Sequence, residues 1–373
     1  MAKSGLFLSV QQVYNSRDYM RWYLVFAWRT GLGVDWGTIM SSAASFSNFA
    51  RIAALAEILF VLALGNIAGV AIYEAVEPAS VVTGKASGVV AGLYAGLRIF
   101  LRIGLVAAFG LTLLWFRRGA TPRDAGLTRA GKPLGHLIGI GIVLGGFSSF
   151  LVGSIFALHA IVPLGEGLPV WEEFRKSTLD SAFYVDLLAT SIIIPPLVEE
   201  IMARGYTRLR MVESYGVIGG VILTGLIFAL SHGKFISTDP LLALSLIMFV
   251  VSSISWTYIA QATGSLIPPM IAHAMTNSIA TAILFNVWVP FAGVTALVVW
   301  QRRPILKTLR QFADSWRADQ EKSGLLFGIV LLVAIIAATM IVMSQFGRTT
   351  GLLALGILSL LVTVVNIVRE KRV

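Results

Sequence analysis

The chain has 373 residues, 57% of them hydrophobic and only 13% charged, against about 25% charged in an average soluble domain. With a mean hydropathy of +0.82, this excludes a soluble globular protein, and no polar stretch is long enough to fold as a separate soluble domain. The net charge of +10 would suggest nucleic acid in a soluble chain, but Lys and Arg gather between apolar runs and at the C-terminus, as cytoplasmic loops do, so no nucleic-acid partner is expected.

In chain order, residues 1–50 read as an N-terminal interfacial arm. Met1 to Ser16 lacks the charged start and compact apolar core of a cleavable signal. Trp22, Tyr23 and Trp28 suit the headgroup level. Apolar runs that would cross a bilayer fall at about 52–73, 88–116, 137–162, 182–211, 216–233, 240–261, 267–288, 289–300, 325–346 and 350–368. The eighth is short and reads as re-entrant or as a continuation of the seventh. The fold class is all-α: a polytopic integral membrane protein of about eight to ten transmembrane helices.

Proline lacks an N–H and fits a first turn. Pro195 and Pro196 should therefore end one helical piece near Ile194 and start another at Leu197, so that the following glutamate pair opens a new helix. Basic residues mark alternate loops: Arg117, Arg118, Arg123, Arg129 and Lys132, then Arg208 and Arg210, Arg302 and Arg303, and Arg369, Lys371 and Arg372. Acidic residues mark the others: Glu74 and Glu77, then Glu166, Glu172, Glu173 and Asp180. With ten spans this places both termini in the cytoplasm. Between 304 and 319, Ile305, Leu309, Phe312 and Trp316 recur at helical spacing, away from Lys307, Arg310 and Arg317. That pattern reads as an amphipathic helix on the cytoplasmic surface.

Three polar patterns interrupt the apolar background: Glu199-Glu200-Ile201-Met202-Ala203-Arg204, Phe228-Ala229-Leu230-Ser231-His232 and His273-Ala274-Met275-Thr276-Asn277. Unpaired charge within a membrane costs at least ~2.5 kcal/mol per residue, so these positions demand an explanation. Glu200 and Arg204 are four apart and share a helical face, where they can pair. Glu199 points about a third of a turn away and stays available as a base. His273 and Asn277 also share a face and could aim donors at one oxygen. Each group has a bland reading as well: a helix-stabilising ion pair, or hydrogen bonds that join two spans. The chain has four histidines; His136 and His159 sit at span boundaries and receive no role. There is no cysteine, which removes thiolate catalysis and Cys-based metal sites.

The set EExxxR, FxxxH and HxxxN, in this order and in successive late spans, resembles the CAAX-protease and bacteriocin-processing (CPBP, or Abi) family. Gly205-Tyr206 after Arg204, Ile267-Pro268-Pro269 before His273, and Asp124-Ala125-Gly126-Leu127 in the basic loop are similar to it as well. The resemblance covers roughly residues 120–300 and implies an intramembrane endopeptidase. It implies Glu199 as the base that activates water and His232 as its partner. His273 and Asn277 would lie on the oxyanion side, with Arg204 as brace and Glu200 as a second catalytic or structural carboxylate. Ala203 stands where many members carry phenylalanine, which touches local packing alone.

Zinc is left open. Glu199, His232 and His273 would be its ligands, and the same groups can work without metal as a glutamate–histidine pair. The organisation that follows is an arm at 1–50, two helices in 51–118, a CPBP-like core at 119–300, the amphipathic helix at 301–323 and two helices in 324–373. Expected partners are membrane lipids, a peptide or protein substrate, and a membrane protein at the terminal extensions. The expected location is the bacterial inner membrane. The rival readings are a non-catalytic immunity or scaffold protein on the same fold, and a proton-coupled transporter. Glu57, Arg98 and Arg102 would serve the transporter, but they read better as a buried structural ion cluster, and no repeat supports transport.

One geometric problem stands out. In simple alternation His232 lies near the outer end of its span and His273 near the inner end of its own. A single site therefore needs broken or tilted helices, which Pro195-Pro196, Pro268-Pro269, Gly216, Gly219, Gly220 and Gly225 could provide.

Overall fold

The computed structural model describes residues 48–161, 181–232, 239–285, 324–346 and 348–370, with scattered positions between 296 and 310. Among the described residues every regular element is helical. The expected N-terminal arm, the acidic loop ending at Asp180, and most of the eighth span and the amphipathic helix lie outside them. Of that last region Arg302, Arg303, Leu306, Lys307 and Arg310 are described, and they are helical and exposed.

The helices are α1 (Asn48–Val76), the short α2 (Ala79–Val82), α3 (Gly88–Arg118), α4 (Leu134–Ile161), α5 (Ser181–Leu187), α6 (Ile194–Glu200), α7 (Arg208–Leu230), α8 (Pro240–Thr263), α9 (Ile267–Phe285), α10 (Leu325–Phe346) and α11 (Arg348–Glu370). Among the described residues five helical runs are long and apolar enough to cross a membrane, and the protein is an all-α integral membrane protein. The boundaries follow local chemistry. Asp239 caps α8 by accepting from the N–H groups of Leu241 and Leu242 at 2.9 and 3.1 Å, and Gly264 closes it in the left-handed region. Close helix contacts use small residues, as membrane interfaces do. Gly65 and Gly69 of α1 lie against the backbone of Val106 and Arg102. Gly88, Gly92 and Gly96 of α3 lie against Ala182, Asp186 and Ala189.

The run from α5 to α7 departs from the expectation. The prolines do not end a helix that restarts at Leu197. The chain widens into a π-helical segment, Leu188–Ile193, and α6 begins at Ile194 with the prolines in its first turn. Glu199 and Glu200 therefore close α6 instead of opening a helix, and a second π-helical segment, Ile201–Thr207, follows them. The physical reason is that a widened turn tolerates missing N–H donors while the chain stays helical, which a membrane interior requires.

α7 is broken at Gly216, whose φ of 76° and ψ of 175° turn the chain sharply. Gly220 then passes so close to Val212 that an added Cβ would lie 2.4 Å from its backbone nitrogen. Residues 217–230, beyond this corner, extend only about 21 Å, whereas α8 extends about 36 Å. His232 therefore stops part-way along α8, against Phe249 (ring centroids 4.8 Å apart). The short run lets His232 reach the same carboxylate, Glu199, as His273 does.

The basic ends of α3 and α7 meet on one acidic side chain of α1. Glu57 of α1, fully buried, accepts on one carboxylate oxygen from Arg117 of α3 at 2.7 Å and from Arg210 of α7 at 2.8 Å. The Tyr206 hydroxyl donates to its other oxygen at 3.4 Å. Glu57 thus forms a buried ion cluster, but with partners other than those expected: Arg102 bonds Asn66 at 3.2 Å, and the exposed Arg98 lies over the Tyr73 ring. In the neighbouring loop Asp124 ties down Thr121, and the Gly126 carbonyl accepts from the Leu266 N–H at 2.8 Å. The Asp124-Ala125-Gly126-Leu127 segment so anchors the start of α9.

Candidate functional site

Glu200 and Arg204 pair as their spacing predicts, with Nη1 of the arginine 2.8 Å from Oε1 of the glutamate and both side chains wholly buried. Burying a charge demands saturated hydrogen bonding, and α8 supplies it. Arg204 Nη2 donates to the Ser253 hydroxyl at 2.6 Å and to its carbonyl at 3.3 Å. Nε donates to the Thr257 hydroxyl at 3.3 Å. The guanidinium also lies 4.1 Å from the centre of the Phe228 ring, a cation–π contact. Arg204 sits within the second π segment, and its own carbonyl accepts from Arg208 Nε at 2.6 Å, so the widened turn leaves this group satisfied.

His273, two turns into α9, faces the same pair. Its Nδ1 lies 2.9 Å from Glu200 Oε1. Its ring stacks on Trp256 (centroids 4.9 Å apart, planes 29° apart). The Trp256 indole N–H in turn donates to Ser148 of α4 at 2.7 Å. His232 is held from below: its Nδ1 lies 3.0 Å from the Phe228 carbonyl, four residues back. Phe228 and Phe249 both pack edge-on against its ring.

These contacts select the tautomers. An ionised carboxylate that already accepts from Arg204 can only accept from His273, so Nδ1 of His273 carries its proton. A backbone carbonyl likewise only accepts, so His232 is protonated at Nδ1 as well. In the neutral rings both Nε2 atoms are then acceptors, and both face a third acceptor. Glu199 Oε2 lies 3.8 Å from His232 Nε2 and 3.9 Å from His273 Nε2. Those separations exceed a direct hydrogen bond and suit a bridging donor such as water. The cluster is mostly buried, and His232 is its most open member, with a quarter of its side chain exposed.

The structure thus brings Glu199, Glu200, Arg204, His232 and His273 together. Asn277 is directed elsewhere: its Nδ2 donates to the Ser191 carbonyl at 2.7 Å. As to metal, among the described residues no group of three or more His, Cys, Asp or Glu side chains has an arrangement that would hold an ion. Glu199, His232 and His273 do not close to that geometry in this structure.

Sequence reasoning missed the residues of α8 and α4 that support the site: Ser253, Thr257, Trp256, Phe249 and Ser148. One signal was present. Ser252, Ser253 and Thr257 are buried hydroxyl residues in a membrane span, and buried hydroxyls in a membrane helix need partners.

Residues 181–279 match the family described as Type II CAAX prenyl endopeptidase Rce1-like. That segment contains all three motifs, Phe228 included, and over it the resemblance to the CPBP family holds. No curated protein and no solved structure matches the chain.

Proposed function

We propose that the protein is an intramembrane endopeptidase that activates water with Glu199 and His232 to cleave a membrane-associated peptide or protein. The observation that carries this reading is the convergence of Glu199 Oε2 with the Nε2 atoms of His232 and His273 at 3.8 and 3.9 Å. A water placed among them can donate to two of these acceptors at a time, with Glu199 Oε2 as one of the two. Glu199 takes a proton from that water, and the hydroxide oxygen bonds to the carbonyl carbon of the scissile amide. As the C–N bond breaks, Glu199 returns the proton to the leaving nitrogen. When its Nε2 carries a proton, His273 offers a donor at the same point, as an oxyanion needs. Glu200 and Arg204 serve as the fixed wall that orients His273, the role a carboxylate behind a working imidazole performs elsewhere.

The matched family's description names a prenyl CAAX substrate. The class proposed here is broader, a membrane-bound or leader-bearing peptide. The proposed setting is a bacterial inner membrane, with the basic end of the bundle and both termini facing the cytoplasm. The helices outside 119–300 are proposed as surface for a partner or for controlling access.

The test is membrane peptidomics in host cells carrying wild type, Glu199→Ala or His232→Ala, each matched for folded abundance. Loss of the same processed terminus in both variants supports the reading and identifies the substrate. An unchanged peptidome and phenotype in both would make the polar cluster structural and favour a scaffold or immunity role.

A further inference from the structure

Asn277 belongs to the third motif, and the resemblance places it on the oxyanion side. Its observed hydrogen bond points to a different task. The Ser191 carbonyl, which accepts from Asn277 Nδ2 at 2.7 Å, lies in the π-helical segment Leu188–Ile193 just before α6. In an α-helix this carbonyl would accept from residue 195, and in a π-helix from residue 196. Both positions are proline, and neither has an N–H to give. The paired prolines therefore strip Ser191 of both regular donors inside a membrane, where an unsatisfied backbone group is strongly disfavoured.

We infer that Asn277 is a positioning residue: its amide replaces the donor that Pro195 and Pro196 remove and so fixes the seating of the glutamate-bearing helix. The geometry of α9 completes the argument. His273 and Asn277 lie four apart on one face of α9. His273 meets Glu200 at the end of α6 at 2.9 Å, and Asn277 meets Ser191 before its start. One face of α9 therefore grips the seven-residue α6 at both ends, with Glu199 held between the grips. α6 also packs on α3, with Ile194 beside Gly96 and Val198 beside Gly104, so the two contacts from α9 set its register against the histidine-bearing helix.

The experiment is a double-mutant cycle on the full chain: wild type, Asn277→Ala, Pro195→Ala and the double variant. Pro195→Ala restores the N–H that an α-helical turn would aim at Ser191. The first readout is the unfolding midpoint in detergent, which needs no substrate. Asn277→Ala should lower it by several degrees in the wild-type background and by less than half as much beside Pro195→Ala.

The second readout is formation of the processed terminus at equal folded protein, and this arm rests on the endopeptidase reading. Asn277→Ala should slow it roughly 10²-fold, the penalty of a misplaced catalytic group. Pro195→Ala should restore most of that loss, a rescue that a merely structural contact would not give. An oxyanion donor would instead lose roughly 10²–10³-fold in either background, with the midpoint unmoved. Equal losses in both backgrounds, in either readout, overturn the inference. If no variant of the site, Glu199→Ala included, changes any peptide, the endopeptidase reading fails while the unfolding cycle still decides the role of Asn277.

Discussion

The cluster of buried acid and base at Glu57 and the one at Glu199 are built on opposite plans. At Glu57, two guanidinium groups and a hydroxyl converge on one carboxylate, with both ion pairs under 3 Å. At Glu199, two imidazoles approach to 3.8 and 3.9 Å and present acceptors. Between them, Glu200 resembles Glu57: its Oε1 takes a donor from Arg204 and another from His273. A carboxylate whose charge is met by fixed donors has nothing further to do, and its strong pairs tie helices together. A carboxylate with two imidazole nitrogens standing off at that distance leaves room for water between them, which fits the proposed role of Glu199 as the base. Among the described residues the buried carboxylates thus divide into Glu57 and Glu200, which meet fixed donors, and Glu199, which is proposed to act.

The division would break first at Glu199. Glu199→Gln keeps the volume and removes the base, so the processed terminus should fall at least roughly 10²-fold with folded yield unchanged. Processing that survives would place the base elsewhere. Glu57→Gln is the converse experiment. It leaves two guanidinium groups buried around a neutral amide, and the expected loss is ~3–5 kcal/mol of stability, read by unfolding in detergent; a negligible loss would mean that the cluster is hydrated.

A smaller effect should come from Gly110→Ala. The added Cβ would lie 2.4 Å from the Tyr206 ring, and overpacking of this kind costs ~1–3 kcal/mol. Because Tyr206 joins the second π segment to Glu57, processing should fall along with the unfolding midpoint. The smallest is Ser148→Ala, which removes the acceptor of the Trp256 indole N–H at a cost of ~1 kcal/mol. It should impair processing through the stack on His273 more than it lowers the midpoint. Equal effects on both would make Trp256 ordinary core.

Much of this was legible in the chain. Spacing alone foresaw the Glu200–Arg204 pair, because residues four apart meet on any helix. The break at Gly216 falls where the fifth apolar run was expected to begin. For Glu57 a buried ion cluster was foreseen, but its partners came from α3 and α7, more than fifty residues away, and no local pattern names such neighbours. For Asn277 the local pattern was misleading. Four-residue spacing from His273 suggested a shared target, yet the two side chains reach opposite ends of α6.

What the sequence by itself determined is the all-α membrane fold, most span positions and the inventory of polar groups. These follow from hydropathy and helical periodicity, which are local properties of the chain. What only the tertiary structure decided is which atoms meet: that α7 stops short, that α8 supplies the hydroxyls around Arg204, and that two π segments replace a proline break. Those outcomes depend on donors and acceptors brought together from distant helices, since a membrane interior offers buried polar groups no water and makes them find partners wherever the packing places them.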